Sequence, residues 1–492
     1  MALVDALLAR PADEVVLLDS NQSLTSTEVL TEFQNLAKHL QSCRVLAVLA
    51  DNSADWVMAD LAALHCGIVH LPIPTFFSPA QVVHIFELTG ADALLTDQSA
   101  RIEALQLGFV VVFAWRSLIF MRRKCVPVDL PTGTAKISFT SGSTGTPKGV
   151  CLSGSGLIAT AAAIHSQLAA LHINRHLAVL PLSLLLENTA GIYAALLSGA
   201  SIQVPSLPTL GWRGMAAFAP DLLQQAVIDS AAQSLILVPE LLKAWTLYLS
   251  ARGHRAPDGL AFVAVGGARV DSSLLGRARA LGIPAYEGYG LTECGSVVSL
   301  NLPGDDGSGV GRPLPHVRLR LEGGQFHVTT AAFLGYVTAK SDSAKSLPML
   351  RATEFATGDL GHLDSSGHLH LSGRRSNLLI TAFGRNISPE WVESVLLAQS
   401  AITQAVVVGD AQPCLCAVLV PLPGTTADQV SAAVVLANAA LPDYARLGFW
   451  LISEPFTLQN KLATGNGRPI RNVIAQHHAS AIAALYSTKE SP

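Results

Sequence analysis

Charged residues are scarce in this chain. Asp, Glu, Lys and Arg make up 14% of its 492 residues, and half of the sequence is hydrophobic. So low a charge content argues against extended disorder and for a large buried core, enough for two or more domains. The formal net charge of −4 provides no basic face, and no nucleic-acid-binding module is recognisable, so no nucleic-acid partner is expected. Cysteine is also sparse. Cys43, Cys66, Cys125, Cys151, Cys294, Cys414 and Cys416 are odd in number and widely scattered, as expected of reduced thiols in a cytoplasmic protein. Cys414 and Cys416 are spaced for one face of a strand, and no His or Cys lies near them at zinc-site spacing. His477 and His478 are adjacent on an expected helix, where neighbouring side chains diverge. Residues 1–10 lack a basic leader followed by an export core. The greasiest stretch, 107–121, is interrupted by Arg116 and is too short to span a bilayer. It reads as a buried strand with a flanking loop; the alternative is a patch for peripheral membrane contact. No short repeat is present, which excludes a solenoid.

What is present is an alternation of strand and helix signals. Residues 44–50 form a short apolar run suited to a buried strand. Residues 53–66 have helical spacing, 68–71 read as a strand, 78–88 as a helix and 91–95 as a strand. The rhythm returns with strand candidates at 176–181, 201–204, 234–238 and 261–265. This is an α/β pattern with parallel-sheet character. The texture then changes. Residues 361–371 read as a hairpin around Ser365-Ser366-Gly367, 389–397 as a helix, and 405–408 and 416–420 as strands. The expected organisation is a large α/β domain over 1–375 and a small α+β domain over 376–492.

The strongest local signal is 138–150, SFTSGSTGTPKGV. Thr140, Ser141, Gly142, Ser143, Thr144, Gly145 and Thr146 follow a short apolar run, and Lys148 comes two residues later. Glycines let the backbone turn tightly and present N–H groups, hydroxyls add donors, and the lysine adds charge; together these suit a polyphosphate. The spacing is not that of the common P-loop, because Thr146-Pro147 separates Gly145 from Lys148.

This segment resembles the phosphate-binding motif of the adenylate-forming superfamily, which includes acyl-CoA synthetases, adenylation domains of peptide synthetases and beetle luciferases. Companion segments follow in the family's order from about Val29 to Val473. Gly266-Gly267-Ala268 resembles the segment beside adenine. Tyr289-Gly290-Leu291-Thr292-Glu293 resembles the motif that closes over the adenylate, and Gly311-Arg312-Pro313 follows it. Thr357-Gly358-Asp359 resembles the segment whose aspartate takes the ribose hydroxyls. Gly373-Arg374 and 384–389, GRNISP, resemble the junction into a small C-terminal lid.

The resemblance implies a large multi-subdomain α/β N-terminal domain and a mobile α+β lid. It also implies ATP, Mg²⁺ and coenzyme A, or a carrier protein's phosphopantetheine. Lys148, Thr292 and Glu293 are the expected catalytic groups of the body, with Glu293 suited to the metal because Mg²⁺ takes oxygen ligands. Asp359 can accept two hydroxyl bonds, and the Arg374 fork can bond ribose or phosphate. Ser376 and Asn377 stand where relatives carry charged hinge residues. Arg468, in the run 464–471 TGNGRPIR, stands where relatives carry a lysine that orients the carboxylate and α-phosphate. Three readings stay open: Arg468 acts directly, Lys461 substitutes for it, or the lid contributes closure alone. No aspartate stands just before the segment 234–239, where relatives that take amino acids carry one to meet the amino group, and 181–191, PLSLLLENTAG, is rich in leucine. An apolar acid, fatty or aryl, is therefore expected. A carrier-protein ligase and a non-catalytic adenylate-binding scaffold are the alternatives, and the oligomeric state is open.

Overall fold

The computed structural model describes residues 2–140, 147–214, 217–305, 307–337, 353–465 and 467–487. Its helices begin and end where local chemistry dictates. Helix Ala54–Cys66 starts at Ser53, whose hydroxyl accepts the Trp56 N–H at 3.2 Å, and stops at Gly67 with φ +67°. Helix Pro79–Thr89 has proline in its first turn and a capping box between Ser78 and Gln81, and it ends on Gly90 at φ +59°. Helix Ala54–Cys66 is apolar nearly all round and buried over ten successive residues, as suits a helix enclosed between layers.

Two large sheets form the body. In the first, strands Ala285–Tyr289, Phe262–Val265, Ser234–Leu237, Arg175–Leu177, Ser201–Gln203 and Val15–Leu18 run parallel in that order, with antiparallel strands at each edge. In the second, Thr134–Thr140, Val69–Pro72, Val45–Leu49 and Ala93–Thr96 are parallel neighbours. Lys148–Ser153 returns antiparallel beside Thr134–Thr140, and Phe333–Tyr336 pairs with its far side. A third, antiparallel sheet joins Arg318–Glu322, Gln325–Thr330, Thr353–Leu363 and Leu369–Arg374, the last two forming the expected hairpin. Beyond it, strands Ile402–Val408, Leu415–Pro421 and Leu447–Ile452 and helices Pro389–Leu397 and Ala427–Ala439 enclose a core of their own, including Val392, Leu396, Val407, Leu419 and Val430.

One expectation is corrected. The stretch 107–121 is a hairpin of Val110–Trp115 and Leu118–Arg122, and Val110–Trp115 is an edge strand rather than a buried one. Val110, Val111 and Val112 are 63%, 52% and 53% exposed. Apolar composition marks a strand but cannot say whether it lies inside a sheet or at its rim. Arg116 makes the turn at φ +54° and anchors it to Asp55, Nε to Oδ1 at 2.7 Å. No described helix is long and apolar enough to cross a membrane. None of the seven cysteines, all among the described residues, forms a disulfide; Cys416 is buried and Cys414 half-buried.

A charged cluster lies where the two large sheets meet. Asp60 of the enclosed helix receives Lys136 Nζ at 3.0 Å, His70 Nδ1 at 2.6 Å, Asn188 Nδ2 at 2.7 Å and the Tyr193 hydroxyl at 2.8 Å. All five residues are almost fully buried. Burial pushes the Asp60 carboxyl up, but the charge of Lys136 and the His70 contact outweigh it and hold the group well below the usual carboxylate range. Burial lowers the His70 pKa, so Lys136 is the cation that balances Asp60. Asn188 and Tyr193 come from 186–193, a π-helical stretch that periodicity did not reveal.

Removing the lysine charge strands a carboxylate in the interior. Lys136→Met is expected to lower stability by about 3–5 kcal/mol. Lys136→Met/Asp60→Asn should recover part of that loss. Chemical unfolding midpoints of the two variants check this; equal midpoints for Lys136→Met and the parent would refute it.

Candidate functional site

The second sheet delivers the phosphate-loop candidates. Thr140 pairs with Lys148 at the open end of an antiparallel pair, so residues 141–146 connect two adjacent strands. Ser141, Gly142, Ser143, Thr144, Gly145 and Thr146 themselves lie outside the described residues. Lys148 is exposed at the first position of its strand. On the neighbouring strand Tyr336 pairs with Val150, and its hydroxyl donates to Glu293 Oε1 at 2.9 Å. Glu293 is thereby tied to the strand next to Lys148, and among the described residues its Oε2 accepts no hydrogen bond.

The first sheet delivers a second group of candidates at the carboxyl ends of its parallel strands, the usual place for ligands in such sheets. Gly266-Gly267-Ala268 follows strand Phe262–Val265, and Tyr289 ends strand Ala285–Tyr289 beside it. Gly267 has φ +86°. A side chain at Gly290 would place its Cβ 1.7 Å from the Ser296 carbonyl oxygen, so the doubled-back chain requires glycine there. Thr292 and Glu293 then form a short 3₁₀ turn.

The third sheet closes the group. Asp359, 5% exposed, lies opposite Arg374 in the antiparallel pair. The Tyr289 hydroxyl donates to its Oδ2 at 2.5 Å and Arg374 Nε to its Oδ1 at 2.9 Å. Burial and the adjacent carboxylate both push the Tyr289 hydroxyl up, so it stays a donor. Each carboxylate oxygen keeps a second lone pair, so Asp359 can still accept bonds from a diol. Tight glycine turns, an available carboxylate oxygen on Glu293 and this remaining acceptor capacity fit a nucleotide with its cation.

The C-terminal unit reaches the same place. Thr464 and Arg468 bracket a tight loop: the Thr464 N–H donates to the Arg468 carbonyl at 2.8 Å, and the Arg468 N–H to Thr464 Oγ1 at 3.2 Å. Gly465 rests on the body, where an added Cβ would lie 3.3 Å from Gln81 Oε1. Arg468 has Arg374, Glu390, Glu240 and Asp359 as charged neighbours. Arg468 is exposed at the surface, but the protein packed around its guanidinium and the like charge of Arg374 lower its pKa below the usual guanidinium range. Lys461 is exposed on a left-handed backbone, φ +62°, and among the described residues its side chain makes no hydrogen bond or ion pair. Arg471 holds the lid together by pairing with Glu393 and, at 3.5 Å, Glu390. Ser376 is exposed, its hydroxyl 3.0 Å from Asn377 Oδ1, while the Arg375 N–H donates to the Gly358 carbonyl at 2.8 Å.

Thus Gly266–Ala268, Tyr289, Gly290, Asp359 and Arg374 gather with Arg468 around one place, and Glu293 is linked to the phosphate hairpin. Tyr336 and Glu240 were missed, and no local motif announces either. Glu187 was also missed inside the leucine-rich run. It is fully buried, with Oε2 accepting the Val179 and Leu180 N–H groups at 3.1 and 2.9 Å and Oε1 facing His176 Nε2 at 3.0 Å.

Parallel sheets with ligand-type loops at their carboxyl ends, and a separate small unit that adds a basic loop, define an adenylate-forming architecture. A family model described as AMP-binding enzyme matches residues 4–328, and one described as AMP-binding enzyme C-terminal domain matches 376–490. The chain belongs to the AMP-binding enzymes, and its architecture is that of the acyl-CoA-synthetase-like ligases. It is 24% identical over 420 residues to the 2-succinylbenzoate–CoA ligase of Bacillus subtilis, covering 81% of this chain and 82% of that one. It is 31% identical over 252 residues to the long-chain-fatty-acid–CoA ligase FadD15 of Mycobacterium bovis, covering 45% of this chain and 41% of that ligase. The fold is similar to that of the anthranilate CoA ligase AuaEII in complex with anthranoyl-AMP, with TM-score 0.80, 18% identity and 98% of each chain covered.

Two residues before Tyr289, burial pushes the Glu287 carboxyl from its ordinary 4.5 up to about 7, against the Val270 N–H that it accepts and the nearby Arg269. A buried acid with a raised pKa opposes folding once ionised. The penalty is absent below the unfolded value, grows between 4.5 and about 7, and is complete above that. Glu287→Gln keeps the acceptor and removes the charge. Its thermal midpoint should match the parent's below about pH 4 and exceed it above about pH 8, where the variant's unfolding free energy is higher by on the order of 3 kcal/mol at most. Identical midpoints across that range would refute this.

Proposed function

We propose that the chain uses ATP to convert an apolar carboxylic acid, fatty or aryl, into its acyl-adenylate and then transfers the acyl group to the thiol of coenzyme A. The observation that carries this reading is the meeting of Asp359, Tyr289 and Arg374 of the body with Arg468 of the lid. In it, Gly266–Ala268 lie along the adenine, Asp359 accepts the ribose hydroxyls, and Arg374 orients Asp359 and the sugar. Thr140, residues 141–146 and Lys148 receive the phosphates, and Thr292 adds a hydroxyl beside them. Glu293 would hold Mg²⁺, which supplies positive charge to the phosphate oxygens when bound.

A carboxylate oxygen of the acid attacks the α-phosphorus, and the bond to the bridging oxygen of pyrophosphate breaks. The two reactants are both anions, so the protein's task is to bring them together and offset their repulsion. Lys148 does so from the body and Arg468 from the lid, its planar fork replacing the compact ammonium of relatives. In the second step the thiol gives its proton to solvent, its sulfur attacks the acyl carbon, and the bond from that carbon to the phosphate oxygen breaks as AMP departs. Ser376 is the proposed hinge between the domains 1–375 and 376–492.

For the acid, Leu186 supports an apolar pocket wall. Its Cδ2 lies 3.8 Å from where a Cβ on Gly266 would stand, so the leucine-rich segment borders the adenine segment. A panel of fatty, aryl and amino acids, read by pyrophosphate release, tests the substrate. Fatty or aryl acids should dominate, and dominant turnover of an ordinary L-amino acid would overturn the reading. The panel repeated with coenzyme A and with carrier proteins tests the acceptor. Thioester formed only on a carrier protein would replace coenzyme A in the proposal.

Two substitutions assign the lid cation. Arg468→Ala should slow pyrophosphate release by about 10²-fold, the scale of one lost electrostatic group, and largely spare thioester formation from preformed acyl-AMP. Lys461→Ala should leave both steps near the parent's rate. The reverse pattern would give the role to Lys461, and two unaffected variants would leave the lid with closure alone.

A further inference from the structure

Helix Pro389–Leu397 of the lid ends without a basic residue in its own last turn. The last carbonyls of a helix have no partner within it and carry partial negative charge, so they attract cations. Here the cations come from the body. Lys243, on helix Pro239–Arg252, donates through Nζ to the carbonyls of Leu397 at 2.6 Å, Gln399 at 2.6 Å and Ile402 at 2.5 Å. Arg277, on helix Ser272–Ala280, donates through Nη2 to the Ala398 carbonyl at 2.6 Å. An ammonium has three N–H donors, and Lys243 aims all three at the lid. A surface lysine would keep water on at least one of them.

The same body helix also faces the candidate site. Glu240, one turn before Lys243, is a charged neighbour of Arg468. One face of helix Pro239–Arg252 therefore presents a cation to the end of the lid helix and an anion to the lid's arginine. The direction in which Thr464–Arg468 enters the site depends on how the lid is seated, and Lys243 holds that seat.

We propose that Lys243, supported by Arg277, is a positioning residue that seats the lid so that Arg468 faces Asp359 and Arg374. It touches no substrate and acts through Arg468. This rests on the reading of Arg468 as the adenylation cation.

The test compares Lys243→Met in two backgrounds. In the parent, Lys243→Met should slow pyrophosphate release about tenfold, the effect of losing a set of charge-assisted hydrogen bonds, while thioester formation from preformed acyl-AMP is retained. In Arg468→Ala it should cause no further loss, because the group it positions is gone. An equal fractional loss in both backgrounds, or no loss in the parent, would overturn the proposal. A merely structural role would slow both steps and lower the thermal midpoint. If Lys243→Met does not fold, Lys243→Arg serves instead: it keeps the charge, but its planar fork does not match three convergent carbonyls, and the same pattern is expected.

Seating is also read without turnover. Trypsin cleavage after Arg374 or Arg375 should accelerate in Lys243→Met, releasing a fragment that begins at Arg375 or Ser376. Unchanged cleavage would overturn the seating role even if the parent adenylates no acid. Absence of pyrophosphate release from the parent, with accelerated cleavage in Lys243→Met, would instead overturn the activity assigned above and leave the seat standing.

Discussion

The body is organised around the buried pairing of Asp60 with Lys136. Four segments contribute to it: the enclosed helix, two strands of the second sheet and the π-helical turn that follows the first sheet's Arg175–Leu177 strand. An ion pair taken out of water stabilises only if every remaining lone pair and proton finds a partner, and Asn188, Tyr193 and His70 provide them. Such a cluster tolerates little displacement, so it fixes the two sheets in register. Lys136 lies four residues before Thr140, at the mouth of the phosphate hairpin, and Tyr193 closes the segment whose Leu186 borders Gly266. The constraint in the interior therefore reaches both halves of the proposed nucleotide site.

Around the site itself, polar groups hold one another in place before any ligand arrives. Asp359 is oriented from both sides by Tyr289 and Arg374, and its own N–H donates to Thr357 Oγ1 at 3.0 Å. Gly373 permits this arrangement next to the lid, since a Cβ there would come within 2.4 Å of the Ser388 Cβ. The ribose-binding candidate and the entry to the lid are thus one packed unit. Placement of donors and acceptors in advance is what favours charge development over solvent reorganisation.

The lid brings a further cation toward this point. Arg374 is already engaged with Asp359, whereas Arg468 arrives on a loop braced by its own Thr464 and resting on Gln81. Desolvation, and then the like charge of Arg374, lower the pKa of Arg468, and an incoming anion would offset both.

Much of this was legible in the residues. Most of the apolar runs located their strands to within a residue or two, although 176–181 overran Arg175–Leu177 and neither Val15–Leu18 nor Ala285–Tyr289 was expected; Ser53 and Ser78 open their helices, and the spaced glycine, hydroxyl and acidic motifs identified the family, because these features act through local backbone geometry. Distances across the fold were not legible. Nothing local announces that Lys136 balances Asp60, that Tyr336 holds Glu293, or that Val110–Val112 lie on a rim rather than in a core. Nor could spacing decide between Arg468 and Lys461. Seven residues apart on one loop region, they differ in the company they keep, and only the packing of the lid on the body brings Arg468 within the electrostatic reach of Arg374 and Asp359. Motifs are properties of contiguous chain, but charge pairing, burial and the approach of one domain to another are set by segments that meet only when the whole chain has folded.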